Sequence, residues 1–525
     1  MQGVMSLSRW PRISQIGGLL AWLWLFAPLL WMWPGQRSVL ETIASAALLF
    51  FCLLWRSTTR VACVVLVWAG CCSLGYFFAV SSEPDEFFWY SVLGSNPTEA
   101  WEYASSYRVP DVLRWLSWLL PALACAGYLW RRAPVLRTPR MRAVGWIALG
   151  VWLIWASISV YKGYTLHKAL TRVERVYPLK LGLSYVDYYH NARSSQMHSV
   201  PAVPTPIQAP MVDVLVVVLG ESSSAHRWSL LGYSAHDTNA PLRAMRDQLV
   251  LLPVTANGNN TGKTLPVLVT GQRMDPMPEA GAAMYLDWAK AAGFERVSIT
   301  NQMAAGFVNL ALRERSSSFQ FMQDGSWDGA MSQPLARSLA QSTRPLLVTL
   351  HMYGSHPKVE RRYPPEAAKW SDPYDNSIHY SSILLAQWIE QLQALPNVRA
   401  ALVYASDHGQ DFPVCGGSYS HGITRSSYEV PLMVWANEAL RKSQPQWWAQ
   451  LQHVERTAVD THGVPRHNSL LMTHWLKQLL GQEVGTHGGE NMPMMEKGPY
   501  PPAETVAHCE DWTPQVLKLH PAAVH

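Results

Sequence analysis

The sequence of 525 residues has only 7 Cys, and no two of them form a CxxC pair. That excludes a zinc site built on paired thiolates. Cys52, Cys63, Cys71, Cys72 and Cys125 lie in apolar segments and read as inert packing residues. Cys415 and Cys509 alone fall in the polar remainder, where one disulfide outside the cytoplasm and two separate thiols are both open readings. There is no run of Lys and Arg, so the net charge of +5 implies no nucleic-acid partner. No internal repeat recurs. No small-residue cleavage site follows Trp33, so the first apolar segment reads as an uncleaved anchor rather than a signal peptide.

What the chain does have is unevenly spread. Hydrophobic content is ordinary at 49%, but apolar and Trp-rich segments crowd the first third, while charge and His gather later. The length exceeds one core, so at least two domains are expected. Five stretches approach the roughly 20 apolar residues that span a bilayer: 13–33, 39–55, 61–80, 112–130 and 143–161, the second being short. Arg9 and Arg12 precede the first stretch, Arg56 and Arg60 separate the second from the third, and Arg131, Arg132, Arg137, Arg140 and Arg142 separate the fourth from the fifth. The positive-inside rule puts all three groups on the cytoplasmic side. The acidic loop 81–111, with Glu83, Asp85, Glu86, Glu99 and Glu102, then faces out, as does everything after Tyr161. That loop reads as a solvated cap on the bundle or as a surface that meets a lipid headgroup.

Residues 162–210 form a linker, first amphipathic and suited to a membrane surface, then a semi-rigid spacer with Pro201, Pro204, Pro206 and Pro210. A catalytic domain is expected over 211–525. Strand candidates at 214–219, 249–254, 296–300, 345–351, 398–406 and 430–435 alternate with helical stretches such as 285–292 and 381–395. The pattern predicts an α/β fold with a mostly parallel sheet flanked by helices.

Two of these strands run into acidic turns, Val214-Leu215-Val216-Val217-Val218-Leu219-Gly220-Glu221-Ser222 and Ala400-Ala401-Leu402-Val403-Tyr404-Ala405-Ser406-Asp407-His408-Gly409. The carboxyl edge of an open α/β sheet is where ligands bind, so Glu221, Asp407 and His408 are expected around one metal ion. Mixed oxygen and imidazole donors suit zinc or manganese. Between them, Asn259-Asn260-Thr261-Gly262-Lys263-Thr264 supplies a hydroxyl that a metal could activate, and a following helix would aim free N–H groups at a phosphoryl oxygen. Lys263 adds charge there or is merely solvated. The bland reading of Asn260-Thr261 is a helix N-cap. His351 and His356 follow one strand and His421 follows the Asp407-His408 pair.

Several motifs together resemble the membrane-bound phosphoethanolamine transferases of Gram-negative bacteria, in the alkaline phosphatase and sulfatase superfamily. They are Gly220-Glu221-Ser222 with Trp228-Ser229-Leu230-Leu231-Gly232-Tyr233, Ile299-Thr300-Asn301-Gln302, Leu350-His351-Met352-Tyr353-Gly354-Ser355-His356-Pro357 and Ser406-Asp407-His408-Gly409. The resemblance covers essentially the whole chain and implies a five-helix transmembrane domain (1–161) carrying an alkaline phosphatase/sulfatase-like periplasmic domain, in the bacterial inner membrane. It implies zinc ligands at Glu221, Thr261, Asp407 and His408, one ion held tightly and a second, weaker one near His356 and His421. Thr261 becomes the residue that takes phosphoethanolamine covalently, and His356 and His421 bind the donor phosphate, a second metal or the leaving group. Asn96, Glu99 and Glu102 fall where the donor ethanolamine is held.

The nucleophile turn here has no flanking Cys, unlike members that modify lipid A. The resemblance therefore points to members acting on the lipopolysaccharide inner core or on periplasmic glucans, with phosphatidylethanolamine as donor. The register at Pro266 selects Thr261 and leaves Thr264 as the lesser alternative. A phosphoglycerol transferase on the same fold is the second reading, disfavoured by the acidic outer loop. A sulfatase is set aside because no Cys/Ser-x-Pro-x-Arg motif is present. A catalytically inactive envelope scaffold that binds lipid or glycan is the reading from another class.

Overall fold

The computed structural model describes residues 10–28, 51–80, 109–132 and 138–161, scattered residues within 84–107 and 177–189, and 205–482 except 273–281, 303–306, 323–325, 342–344, 413–418, 420, 423 and 462. Two compact units divide the chain. One comprises Met1–Trp89 and Tyr107–His190, the other Tyr90–Ser106 and Asn191–His525.

The first unit is helical, with α1 (Trp10–Leu25), α2 (Arg56–Val80), α3 (Val109–Arg132) and α4 (Pro139–Tyr161). Among the described residues two stretches are long and apolar enough to cross a membrane, Arg56–Phe78 and Val109–Arg132; Ile16–Leu25 and Arg142–Val151 are shorter apolar helices. The expected stretch 39–55 lies mostly outside the described residues. So do Asn96, Glu99 and Glu102 of the outer loop, and Cys415 and Cys509. The five Cys of the apolar segments are unbridged.

Aromatic side chains knit these helices through backbone carbonyls. Trp118 Nε1 donates to Trp24 O and Trp24 Nε1 to Trp118 O, both at 3.3 Å. Trp115 Nε1 donates to Cys71 O at 3.1 Å and Tyr107 Oη to Gly75 O at 2.9 Å. The buried Tyr177 hydroxyl sits 2.6 Å from Leu66 O and 3.0 Å from Leu25 O. An indole or phenol offers a large apolar face and one polar tip, which suits packing between apolar helices that leave few other partners.

The second unit is built on a seven-stranded sheet: β1 (Val214–Gly220), β2 (Leu249–Thr255), β3 (Glu295–Thr300), β4 (Ser318–Phe321), β5 (Leu346–His351), β6 (Ala400–Ser406) and β7 (Glu429–Ala436). Their order is β2-β7-β6-β1-β5-β3-β4. Pairings β6–β1–β5–β3–β4 are parallel; β7 runs antiparallel to both β6 and β2. The sheet is therefore mixed, with β7 the reversed strand. Among the described residues of 407–428, between β6 and β7, the one helix is Arg425–Tyr428.

The central strand explains the two-layer core. Leu215, Val217 and Leu219 join one apolar cluster, with Leu265, Leu268 and Val269 of α5 (Thr261–Thr270) and Tyr285 of α6 (Tyr285–Ala291). Val214, Val216 and Val218 join the cluster on the opposite face, with Leu335 of α7 (Ser332–Gln341) and Ile378, Leu385 and Trp388 of α8 (Pro373–Gln393). Alternate residues of one strand bury on both faces, which is why the strand reads as an unbroken apolar run. Each such side chain contributes about 1.5–3 kcal/mol of burial. The core thus holds the carboxyl ends of β1, β5 and β6 side by side.

Candidate functional site

Register decides which residues meet. Gly220 pairs with Ser406 and Leu219 with His351, so the residues just past β1 and β6 emerge as neighbours. Glu221, Asp407 and His408 offer ligand atoms that all lie within 4.8 Å of one another, and all three are buried. His408 Nε2 is 3.4 Å from both Glu221 Oε1 and Asp407 Oδ2.

The turn after β1 is tightly drawn. Ser222 has a left-handed φ of 56°. Its N–H donates to Asp407 Oδ1 at 3.0 Å and its hydroxyl to Glu221 Oε1 at 2.6 Å. Gly354 presses on the same turn with φ of 54°; a Cβ there would lie 2.4 Å from Glu221 O, so glycine is needed twice over, for conformation and for space. Asp328, buried, accepts from the N–H groups of Tyr353 and Gly354 at 2.8 Å and from Asn301 Nδ2 at 2.9 Å, and so ties the β3 and β5 loops together.

Thr261 opens α5. Asn260 is the N-cap and its side chain accepts from Lys263 N at 3.2 Å, which leaves the Thr261 hydroxyl without a capping duty. Thr261 Oγ1 donates toward Glu221 Oε2 at 3.1 Å and lies 3.2 Å from His408 Nε2. The Thr264 hydroxyl instead donates back to Asn260 O at 2.9 Å and is fully buried. Lys263 is half-buried in the same first turn. Gln302 Nε2 donates to Glu221 Oε2 at 3.0 Å. Sequence reasoning assigns Gln302 and Asp328 no separate role, although Gln302 closes the Ile299-Thr300-Asn301-Gln302 motif; Asp328 carries no local signal.

Electrostatics divides the cluster. Burial pushes the Asp407 carboxyl up, reinforced by the Glu221 charge, to about 7. For Glu221 burial also raises the pKa, but the hydrogen bond and charge of His408 outweigh it and hold the carboxyl below its usual range. Burial pulls His408 down, and the flanking carboxylates lift it to about 9. Asp407 Oδ2 is buried with no hydrogen-bond partner among the described residues. Two fully buried carboxylates with one orphaned oxygen are costly unless a cation joins them. The donor set therefore fits a divalent metal, held by Glu221, Asp407 and His408 with the Thr261 hydroxyl beside them.

His356 and His421 border this centre. Burial pushes His356 down to about 4 and His421 well below the ordinary histidine value, so both imidazoles are neutral near pH 7. The His421 ring lies 4.8 Å from that of His408. His351 is buried, with Nδ1 2.9 Å from Asn309 Oδ1.

Residues 213–465 match the Sulfatase family. This part of the chain is a sulfatase domain, of the alkaline phosphatase superfamily. Beyond it, the chain has relatives named phosphoethanolamine transferases. The phosphoethanolamine transferase EptC of Escherichia coli (strain K12) is 25% identical over 504 residues, covering 83% of this chain and 85% of that protein. A relative from the same strain named only as a transferase, YhbX, is 26% identical over 308 residues; the chain spans 53% of its length. Among solved structures, the integral membrane lipooligosaccharide phosphoethanolamine transferase A (EptA) of Neisseria meningitidis superposes with a TM-score of 0.59 at 18% identity, over 91% of this chain and 95% of that one. That likeness extends the shared fold beyond the sulfatase domain.

Proposed function

We propose that the chain is a membrane-anchored phosphoethanolamine transferase that works through a phospho-threonine at Thr261. The observation that carries this reading is the Thr261 hydroxyl, 3.1 Å from Glu221 and 3.2 Å from His408 at the N-terminus of a helix. Phosphatidylethanolamine is the donor. The acceptor is an envelope glycan, in the lipopolysaccharide core or a periplasmic glucan. In this reading five spans over 1–161 and a linker over 162–210 carry a catalytic domain over 211–525 on the periplasmic side of the inner membrane, the side of the envelope glycans.

In the first step Thr261 Oγ1 attacks the phosphorus, the bond from phosphorus to the diacylglycerol oxygen breaks, and the Thr proton is passed on while the leaving oxygen takes one up. In the second, a sugar hydroxyl attacks the phospho-Thr, Thr261 regains its proton, and phosphoethanolamine leaves on the glycan. Zinc, when bound by Glu221, Asp407 and His408, supplies positive charge that lowers the pKa of a hydroxyl and offsets charge on the phosphoryl oxygens. The free N–H groups of the first turn of α5 and Lys263 face the same charge. Neutral His356 and His421 accept and return the protons. Asn96, Glu99 and Glu102 hold the ethanolamine ammonium, which suits carboxylates.

The test is diacylglycerol release by the full-length protein from vesicles of phosphatidylethanolamine or of phosphatidylglycerol. Release from the former and not the latter supports the reading. The reverse preference makes it a phosphoglycerol transferase, and no release from either with a folded, metal-loaded protein makes it a binding scaffold.

A further inference from the structure

The His421 Nε2 atom is buried with no hydrogen-bond partner among the described residues. No bond to that nitrogen aims the ring, so the backbone at Tyr419 and Gly422 bears on its position beside His408. That backbone is anchored at two points. Tyr419, two residues before, takes a left-handed φ of 52°, a conformation unfavourable for an aromatic residue unless its surroundings enforce it. Its N–H donates to Asp411 O at 3.0 Å and its hydroxyl to Asp372 Oδ1 at 2.8 Å. Its ring lies parallel to that of Tyr374, 5.4 Å away at 2°. Gly422, one residue after His421, accepts at its carbonyl from Asn259 Nδ2 at 2.7 Å. A Cβ on Gly422 would fall 1.8 Å from Asp411 Oδ2, so this side of the loop is also closely seated.

Both anchors lead back to the chemistry. Tyr374 is wholly buried; its hydroxyl donates to Ser222 O at 2.6 Å and accepts from Ser224 N at 2.8 Å, gripping the turn that delivers Glu221. Asn259 lies two residues before Thr261. Arg227 completes the first anchor, stacked 4.4 Å above Phe412 and 3.2 Å from Asp372 Oδ2. One tyrosine pair thus joins the β1 turn to the His421 loop, and one asparagine joins that loop to the Thr261 turn.

We propose that Tyr419 and Asn259 are positioning residues that hold His421 beside His408, through the bond from the Tyr419 hydroxyl to Asp372 that seats the ring on Tyr374 on one side and through the Gly422 carbonyl on the other. The proposal rests on the reading of His421 as a catalytic group. Plain packing residues would affect stability and leave turnover intact. Positioning residues affect turnover only through His421.

The experiment is a double-mutant cycle on the full-length protein, read as diacylglycerol release from phosphatidylethanolamine vesicles, with metal content and thermal midpoint measured alongside. His421→Gln should slow turnover about 100-fold, the low end for a lost acid–base group. Tyr419→Phe keeps the stacked ring and loses the bond to Asp372, and Asn259→Ala loses the bond to Gly422; each should slow kcat about tenfold with KM within about twofold, since small misplacements are expensive in rate. Metal content should stay as in the parent protein. The double variant Tyr419→Phe/His421→Gln should be within about twofold of His421→Gln alone, because residues acting through one group do not add. Losses that multiply, or parent-level turnover in a folded Tyr419→Phe, would overturn the positioning role while leaving the His421 reading intact. Full turnover in His421→Gln would overturn that reading and this proposal with it. Tyr419→Phe carries the test by itself if Asn259→Ala does not fold.

Discussion

Glu221 and Asp407 lie at the ends of adjacent parallel strands, equally buried, and are treated in opposite ways. Glu221 accepts from Ser222, Thr261 and Gln302 and also pairs with His408, and its carboxyl is held ionised. Asp407 uses Oδ1 on two backbone N–H groups, those of Ser222 and His408, while Oδ2 lies 3.4 Å from His408 Nε2 and has no hydrogen-bond partner among the described residues. Its carboxyl is pushed up to about 7. The protein itself satisfies the first carboxylate, whereas the second keeps an oxygen that a bound cation would satisfy. The difference also locates the chemistry, because the threonine hydroxyl lies on the side of the well-satisfied glutamate.

The largest effect should come from removing the unsatisfied carboxylate. Asp407→Ala is expected to lose bound metal and to lower transfer by at least about 1000-fold, which total metal analysis and a headgroup-release assay would measure together. A folded Asp407→Ala with full metal occupancy would break the contrast between the two acids. Loss of a supporting donor should matter less. Gln302→Ala removes one of the three bonds to Glu221 and should weaken metal binding about 10–100-fold in a chelator competition, the usual range for groups that orient a ligand.

The pH dependence sharpens the comparison from the asymmetry in protonation. Without a cation Asp407 holds a proton below about 7 and His408 holds one below about 9. Metal must displace both, so apparent affinity should climb with pH between about 6 and 9 and proton release should accompany binding. Titration calorimetry in buffers of different ionisation enthalpy would read the released protons. Release of about two protons is expected at pH 6, and release of about one would mean that Asp407 is already ionised and that His408 alone gives up its proton.

The smallest effect should be at Thr264. Its hydroxyl bonds back to Asn260 O, so Thr264→Ala should cost about 1 kcal/mol of stability and leave turnover within severalfold of the parent, seen in a thermal melt and in the release assay.

The sequence made some of this legible and hid the rest for physical reasons. Buried strands such as β1 and β6 announce themselves because both faces are apolar, and their carboxyl ends named Glu221, Asp407 and His408. Helix α8 was expected over 381–395 and begins at Pro373, because Asp372 caps it and Pro takes the first position, a start signal that lay in plain view. Strand β4 was missed: it is an edge strand of four residues, mostly exposed, and its Ser-Phe-Gln-Phe alternation is too short to stand out. The apolar run of β7 marks a buried strand but carries no direction, so its antiparallel pairing with β6 and β2 is not legible in those residues. Gln302, Asp328, Tyr374 and Tyr419 become important through partners 25 to 152 residues away, such as Ser222 for Tyr374, and no local spacing encodes such contacts.

The central claim is that Thr261, beside the satisfied carboxylate, carries the transferred group. The most direct measurement is peptide-resolved mass spectrometry of the full-length protein quenched during reaction with phosphatidylethanolamine. The account predicts a phosphoethanolamine adduct on Thr261, unchanged in Thr264→Ala and absent from a folded Thr261→Ala. An adduct on Thr264, or continued transfer by Thr261→Ala, would contradict it.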